Sequence, residues 1–286
     1  AEGSPAKGGG DGSKRIGLLT TNALLSHGAT QVLRDASQIR GQRNEDFWLS
    51  FMQGNNPPEP DIPLVYKKFV SNLKASGINV VADGSTSHIM ALTDKDVDEM
   101  SAGRELQNAE TVNFDKNLRP VAGGLFDPAL TGGHNGNRWS FIKLAEPMPN
   151  PVMEEPIRRM LGLTQNQFDG IIAGKTELPR FGGTGPGAIA KALSGMNVDR
   201  ELEVARAEVA GSKKGARDAA IRRLGYLKSA QRLNIHPGDW MLSKAPVLPP
   251  IFRPISEMGD SKLPLVSDPN YLYRELMEAN TNLKTM

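Results

Sequence analysis

The chain has 286 residues, enough for one large or two modest domains, with 38% hydrophobic residues and a negative mean hydropathy. Its net charge of +2 gives no bulk attraction to a polyanion, so nucleic-acid binding would need a local basic surface. The sequence has no cysteine and its four histidines are far apart, which excludes disulfides and argues against structural zinc. No run is long enough to cross a bilayer and no secretory signal pattern is present, so we expect a soluble protein without a membrane partner.

The first quarter predicts a flexible lead followed by short helices. Residues 1–13 are Gly-rich and cannot bury enough surface to offset the entropy of ordering. Apolar spacing predicts helices over 14–39, with a break near Gly28, and over 44–52. Pro63 opens a further helix that ends at Gly77. Its expected inward face consists of Leu64, Val65, Phe69, Val70 and Leu73. A polar connector, D-G-S-T-S, follows from Asp83.

The closely spaced carboxylates Asp94, Asp96 and Asp98 admit two interpretations. Three such groups can hold Mg²⁺ and organise phosphoryl transfer. Thr93 with Asp96 instead makes a capping arrangement at the start of a helix, and we favour this structural interpretation.

Two further patterns lie in the middle of the chain. G-G-T-G-P-G from Gly182 could cradle a phosphate, but no Lys-Ser/Thr follows, which favours a simple helix-entry loop. Residues 198–233 predict an antiparallel helical hairpin broken at 211–215, with Leu202, Ala205 and Val209 facing Ile221, Leu224, Leu227 and Ala230. Alternating charges along this hairpin indicate a solvated face.

The last fifty residues combine a proline-rich arm with a helix. Five prolines from Pro237 to Pro254 exclude a helix and predict a stiff, extended loop. Ser267 or Asp268 is a good N-cap, with Pro269 at the first helical position of a helix that runs to Lys284.

This order of parts resembles the N-terminal part of the beta-prime subunit of multisubunit DNA-dependent RNA polymerases. In that family a P-E-W-M…V-L-P-P-x-L-R-P segment leads into the lid loop, and an S-D-L-N-x-L-Y-R…N-x-R-L helix begins the clamp coiled coil. The matching residues here are Pro237, Trp240, Met241, 246–250, Arg253, Pro254, Ser267, Asp268, Asn270, Leu272, Tyr273, Arg274, Asn280, Asn282 and Leu283. Upstream, E-T-V-N-F and G-L-F resemble the zipper loop and its exit, through Thr111, Asn113, Phe114, Pro120, Gly124, Leu125, Phe126 and Gly132.

An earlier block resembles the extreme C-terminus of the polymerase beta subunit. Its residues Gly54, Asn55, Pro60, Pro63, Leu73, Lys74, Gly77, Ile78 and Asn79 echo the family's G-N…P-x-x-P-E-S-F…L-L-K-E-I-R-S-L-G-I-N. The two resemblances together imply a fusion, with a beta-like clamp base at 14–82, a joint at 83–88 and a beta-prime-like clamp at 89–286. The four-cysteine zinc ribbon of the cellular enzymes is absent after Gly132, and this, with the fusion, suggests a large-bacteriophage polymerase.

The resemblance implies an α+β fold that is mostly helical, an elongated clamp with short strands and long loops rather than an independent compact enzyme domain. Its expected parts are a zipper-like loop at 103–120, the hairpin at 198–233, a lid-like loop at 246–266 and the start of the clamp coiled coil at 268–286. Basic residues on loops can reach phosphates. The predicted nucleic-acid contacts are Arg104, Lys116, Arg119, Lys244, Arg253 and Lys262, and the predicted contacts of an initiation factor are Tyr273, Arg274 and Asn280.

These features predict a subunit of DNA-directed RNA polymerase that holds DNA and the RNA–DNA hybrid. The catalytic aspartates would lie on another chain or beyond Met286, and other beta and beta-prime polypeptides are expected partners. Mg²⁺ would belong to the assembled polymerase, and this chain would hold neither Mg²⁺ nor zinc. A sigma-like factor is a further expected partner. The protein would act in the host cytoplasm or be packaged in a virion. The alternative is a non-catalytic virion or nucleic-acid-binding scaffold that retains the fold.

Overall fold

A computed structural model describes residues 16–40, 45–59, 62–83, 86–110, 112–113, 118–211, 214–258 and 263–285. In these ranges the α-helices are Leu18–Ser26 (α1), Thr30–Arg34 (α2), Glu45–Met52 (α3), Leu64–Ala75 (α4), Asp94–Ser101 (α5), Glu154–Leu161 (α6), Gln165–Ile172 (α7), Gly185–Ser194 (α8), Val198–Gly211 (α9), Lys214–Leu233 (α10) and Asp268–Thr285 (α11). The strands are Ile78–Asp83 (β1), Thr86–Ala91 (β2), Val112–Asn113 (β3), Arg119–Pro120 (β4), Ser140–Pro149 (β5), Met241–Val247 (β6), Ile255–Met258 (β7) and Leu263–Val266 (β8). The predicted α+β, mostly helical fold is confirmed.

Contacts divide the chain into two compact units, Ala1–Val70 and Ser71–Met286. The predicted joint at 83–88 lies inside the second unit, where Asp83 pairs with Thr86 at the end of the antiparallel β1–β2 hairpin.

The first unit has helices but no described side chain in it is buried. Gly28 and Gly54 follow α1 and α3 with positive φ, at the positions where the sequence predicted helix ends. The predicted inward face of α4 is wrong at Leu64, Val65 and Phe69, which are all more than half exposed. Val70 and Leu73, the other two residues of that predicted face, are half-buried.

The main core of the second unit lies among α6 to α10. Ile157, Ile171, Ile189 and Leu193 are completely buried in it. The predicted helical hairpin is confirmed as α9 and α10, with Leu202, Ala205, Leu227 and Ala230 buried as expected. Ile221 is 48% exposed, whereas its neighbour Ala220 is buried. The predicted inner face of α10 was therefore one position wrong at this end.

A two-stranded antiparallel sheet connects this core to the rest of the unit. Strands β5 and β6 pair from Ser140 with Val247 to Pro149 with Met241, and the register shifts between Lys143 and Met148. A second core packs here and consists of Leu106, Leu125, Phe126, Ile142, Val247 and Met277.

The arm from Pro237 to Pro254 is corrected from a loop to a paired strand between two short 3₁₀ turns, Pro237–Trp240 and Pro250–Phe252. The prolines do exclude an α-helix, as expected. Extended backbone is also strand backbone, and Pro246 is accommodated opposite Phe141 because β6 is an edge strand of its two-stranded sheet.

Two further hairpins occupy the predicted loops. Strands β3 and β4 pair at the far end of the zipper-like loop, and β7 and β8 pair from Ile255 with Val266 to Met258 with Leu263. Residues 255–258 and 263–266 of the lid-like loop thus form a β-hairpin. None of the described helices has the length and apolar character needed to span a membrane.

Candidate nucleic-acid interface

The β7–β8 hairpin is closed at its base by Ser267. Its Oγ and backbone N–H both donate to the carbonyl of Pro254, at 2.9 and 3.3 Å. The chain therefore leaves the core at Pro254 and returns at Ser267, directly before α11. The hairpin and the helix thus share one base, which we call the root and which consists of Arg253, Pro254, Ser267 and Asn270.

Arg253 is the centre of that root and is fully buried. Its Nε donates to the carbonyl of Leu248 at 2.5 Å, one terminal nitrogen donates to Asn270 Oδ1 at 2.8 Å, and the other donates to the carbonyl of Leu125 at 2.7 Å. A guanidinium held in this way cannot reach a phosphate. The predicted nucleic-acid contact at Arg253 is therefore wrong.

Two aromatic rings enclose the Arg253 guanidinium. Its central carbon lies 4.9 Å from the ring centre of Phe126 and 5.8 Å from that of Tyr273, distances at which a cation is attracted to the ring face. Burial lowers the pKa of Arg253 to about 10, and the nearby Tyr273 partly opposes this. The side chain therefore stays charged at neutral pH, stabilised by carbonyl oxygens and rings.

Tyr273 points into the same core and was predicted to contact an initiation factor. Its hydroxyl oxygen accepts the N–H of Leu248 at 3.1 Å. Burial raises the pKa of Tyr273, while the Leu248 hydrogen bond and the Arg253 charge lower it. The Tyr273 hydroxyl thus has its hydrogen-bond partner inside this chain. The predicted contact of this hydroxyl with an initiation factor is therefore corrected.

Two asparagines fasten α11 to the core. Asn270 Nδ2 donates to the carbonyls of Arg253 and Ser267 at 2.9 and 3.1 Å, so Arg253 and Asn270 bond each other reciprocally. Asn280 Oδ1 accepts the N–H of Ala145 at 2.5 Å, and its Nδ2 donates to the carbonyl of Lys143 at 2.8 Å. These groups lie where the β5–β6 register is interrupted, so Asn280 satisfies backbone that the sheet does not pair.

The predicted factor contacts on α11 therefore separate into two kinds. Asn280 is 8% exposed and fully engaged with β5, so its assignment to factor binding is wrong. Arg274 is exposed and pairs with Glu278 one turn away, at 3.4 Å. An exposed pair of this kind is weak and leaves the guanidinium accessible.

The remaining basic candidates differ in availability. Arg104 Nε donates to the carbonyl of Trp139 at 2.8 Å, and Lys244 pairs with Asp98 at 2.6 Å, so both are engaged within the chain. Arg119 is exposed on β4. Lys116 and Lys262 lie outside the described residues. The structure thus leaves Arg119 accessible, and does not bring it together with Arg104 or Lys244 in one described cluster.

The three carboxylates near α5 serve three separate structural contacts. Asp94 accepts the N–H and hydroxyl of Ser243, Asp96 forms the capping box with Thr93, and Asp98 pairs with Lys244. The capping interpretation is therefore confirmed. The described residues contain no group of three His, Cys, Asp or Glu side chains arranged to hold a metal ion.

The helix-entry interpretation of G-G-T-G-P-G is also confirmed, because α8 begins at Gly185 directly within it.

Sequence reasoning missed the stacking of His134 on Phe126 and the tight glycine turn that carries His134. His134 stacks on Phe126, with ring centres 5.1 Å apart. The turn that carries His134 is so tight that a side chain at Gly136 would lie 1.9 Å from the carbonyl of Thr131. The only available signal was the glycine run G-G-H-N-G at the place where the resemblance puts the zinc ribbon.

Comparison with known proteins gives a partial match. No family model matches the chain. It is similar to the DNA-directed RNA polymerase subunit beta' of Bacillus mycoides, with 31% identity over 112 residues, 37% of this chain and 9% of that protein. For the beta' subunit of Herminiimonas arsenicoxydans the identity is 36% over 104 residues, and these are 36% of this chain and 7% of the relative. For the beta' subunit of Listeria grayi the identity is 32% over 104 residues, which are 36% of this chain and 10% of the relative.

The chain thus spans at most a tenth of the length of these curated relatives. Over little more than a third of its own length, it is distantly related to the beta' subunit of DNA-directed RNA polymerase.

Proposed function

We propose that this chain is part of a multisubunit DNA-directed RNA polymerase, in which it forms part of the clamp and supplies a lid-like and a zipper-like loop. The observation that carries the proposal is the 31–36% identity to beta' subunits over about 104–112 residues. The beta-like assignment of residues 14–82 and a bacteriophage origin are parts of the same proposal, and rest on the sequence resemblance alone.

The root at Arg253 supports the lid assignment on physical grounds. A loop that separates RNA from DNA must hold its position against the hybrid. Here the hairpin starts directly after Arg253, whose buried guanidinium donates three hydrogen bonds, and Ser267 closes its base. Arg253 would thus position the lid rather than touch nucleic acid, and Lys262, between the two strands, would supply the charge.

Arg119 supports the zipper assignment in a simpler way. It is exposed on a short hairpin, and a guanidinium on such a loop can approach a phosphate without disturbing a core. Arg274 on α11 is likewise accessible, and would contact a sigma-like initiation factor.

The chemistry of the assembly would be template-directed nucleotidyl transfer with Mg²⁺. This chain's described carboxylates do not fit such an ion, since Asp94, Asp96 and Asp98 are directed to different partners. The catalytic aspartates would therefore lie on another chain or beyond Met286, and the DNA template, the RNA transcript and other beta and beta-prime polypeptides would be the partners.

Purification through a tag on this chain tests the proposal. We expect co-purifying polypeptides similar to RNA polymerase subunits, and RNA synthesis that depends on a DNA template, nucleotides and Mg²⁺. Arg119→Ala should weaken template binding and lower the slope of log affinity against log salt by about one, as for the loss of one phosphate contact. Arg222→Ala, on the exposed side of α10, is the matched control and should change neither. A stable monomer without RNA synthesis would contradict the proposal and favour the scaffold alternative.

A further inference from the structure

One short turn of the second unit, residues 131–138, contacts the bases of both hairpins that we propose to meet nucleic acid. We call it the glycine turn. Gly132 has a φ of 89°, and the carbonyl of Thr131 leaves no room for a side chain at Gly136. Thr131 is fully buried, and its N–H and hydroxyl both donate to the carbonyl of Asp127, at 2.8 and 3.0 Å. The backbone of the glycine turn is therefore closely constrained, and its contacts can fix the segments that they touch.

His134 carries the contact with the β3–β4 hairpin. Its Nε2 lies 2.9 Å from the carbonyl oxygen of Leu118, and it donates there because a carbonyl can only accept. That carbonyl belongs to the planar peptide unit that joins Leu118 to Arg119, the first residue of β4. The hydrogen bond from His134 therefore fixes the plane from which the exposed Arg119 starts.

The backbone of Leu118 shows why such a support is needed. Its φ is 54°, in the left-handed region that a leucine rarely adopts. A strained residue of this kind persists only where the surrounding contacts hold it. Here the Leu118 side chain packs against the second core and His134 binds its carbonyl. The start of β4 thus depends on contacts from outside its own hairpin.

The same turn reaches the base of the β7–β8 hairpin. The carbonyl of Gly136 accepts the N–H of Ile251 at 3.0 Å, two residues before Arg253 in the chain. The His134 ring stacks on Phe126 at an interplanar angle of 25°, and the Phe126 ring centre lies 4.9 Å from the central carbon of the Arg253 guanidinium. The glycine turn is therefore connected to both hairpins through a few direct contacts.

We infer that His134 is a positioning residue, which holds the zipper-like β3–β4 hairpin in a fixed geometry relative to the lid-like β7–β8 hairpin. This inference rests on the proposed function, to which it adds a residue that need not touch nucleic acid. Two contacts that are already held in the right relative geometry lose less conformational entropy on binding than two that move independently. His134 would thus raise the affinity of the two hairpins for nucleic acid by ordering them beforehand.

The distance between two spin labels in the full chain tests the positioning. The sequence has no cysteine, so Arg119→Cys and Leu265→Cys place the labels uniquely on exposed positions of β4 and β8. We expect a narrow distance distribution in the labelled parent and one about twofold wider after His134→Ala, because a released hairpin samples more positions. A distribution that stays equally narrow in His134→Ala would overturn the inference.

A second histidine provides the matched control. His236 is also half-buried, and its Nε2 lies 2.9 Å from the backbone carbonyl of Met196, away from both hairpins. His236→Ala should leave the label distance and its width unchanged. Should His134→Ala lose its circular dichroism, His134→Phe decides instead, since it keeps a ring for Phe126 but cannot donate to Leu118. A wider distribution in His134→Phe supports the inference, and an unchanged one overturns it.

Template binding by the purified assembly gives a functional measure. Arg119→Ala should weaken binding about five- to tenfold at 0.1 M salt, as for the loss of one phosphate contact, and His134→Ala should weaken it to a similar extent. If His134 acts by positioning Arg119, the double variant should bind little worse than either single variant, whereas independent losses that multiply would overturn the inference. Either overturning result leaves the proposed function standing. That function fails on a different observation, the absence of polymerase-like companions when the unaltered chain is purified.

Discussion

The two units differ in what holds them together. In the second unit, apolar residues such as Leu227 and Leu193 are completely buried, and polar ties such as Arg253–Asn270 join segments distant in sequence. In the first unit, residues of equal hydrophobicity, such as Leu19 at 87% exposure, are open to solvent. Composition alone does not separate them. The difference teaches that, among the described residues, buried packing explains the fold of the second unit and does not explain that of the first.

The largest expected effect compares one leucine from each unit. Leu227→Ala should lower the free energy of unfolding by about 3–4 kcal/mol, because it leaves a cavity in the main core. Leu19→Ala should change it by less than about 0.5 kcal/mol, since the side chain is already hydrated. Urea unfolding of the isolated chain measures both. Equal costs would show that the first unit has a core of its own.

Arg253→Met should cost about 3 kcal/mol in urea unfolding. The substitution keeps the volume but leaves the carbonyls of Leu248 and Leu125 and the amide oxygen of Asn270 without their buried donor. Arg274→Met on α11 is the control, and should cost less than about 0.5 kcal/mol because the pair of Arg274 with Glu278 is exposed. If both variants were equally stable, the root of the β7–β8 hairpin would not depend on the guanidinium.

How much of this could be predicted from the sequence depends on the range of the interactions. Helix α11 was predicted correctly because Ser267, Asp268 and Pro269 are local signals, and the Thr93–Asp96 capping box is local too. Strand β6 was not predicted, because its partner β5 lies about a hundred residues away and prolines suggested a loop.

The candidate site was predicted less well than the fold. Arg253 precedes a proline and looks like an exposed loop cation, and its partner Leu125 is 128 residues away in the chain. Asn280 was assigned to a partner protein, although its amide fits the interrupted stretch of β5. A basic or amide side chain does not show from sequence whether it faces a ligand or a backbone carbonyl.

Removal of a local cap should have a smaller effect. Thr93→Ala abolishes the hydroxyl half of the capping box of α5 and should cost about 1 kcal/mol in urea unfolding. Thr285→Ala removes a hydroxyl that bonds carbonyls of its own last helical turn, and should be nearly neutral. A neutral Thr93→Ala would indicate that Asp96, through Asn79, holds the helix start alone.

The smallest effect is a pH dependence at Tyr273. Because burial raises its pKa in the folded chain above the ordinary value, its neutral phenol stabilises the fold fully below about pH 10, and this contribution is lost as the pH rises through the raised pKa. The stability difference between the wild type and Tyr273→Phe should therefore fall as the pH rises above about 10. A difference that stays constant across this range would mean that the phenol is not buried.

Hydrogen exchange of the isolated chain tests the contrast between the two units most directly. We predict that amides of α3 and of residues 64–70 exchange within seconds, while those of β5, β6 and α10 are protected. Strong protection of α3 would contradict the account, because it would show that the first unit has a stable core of its own.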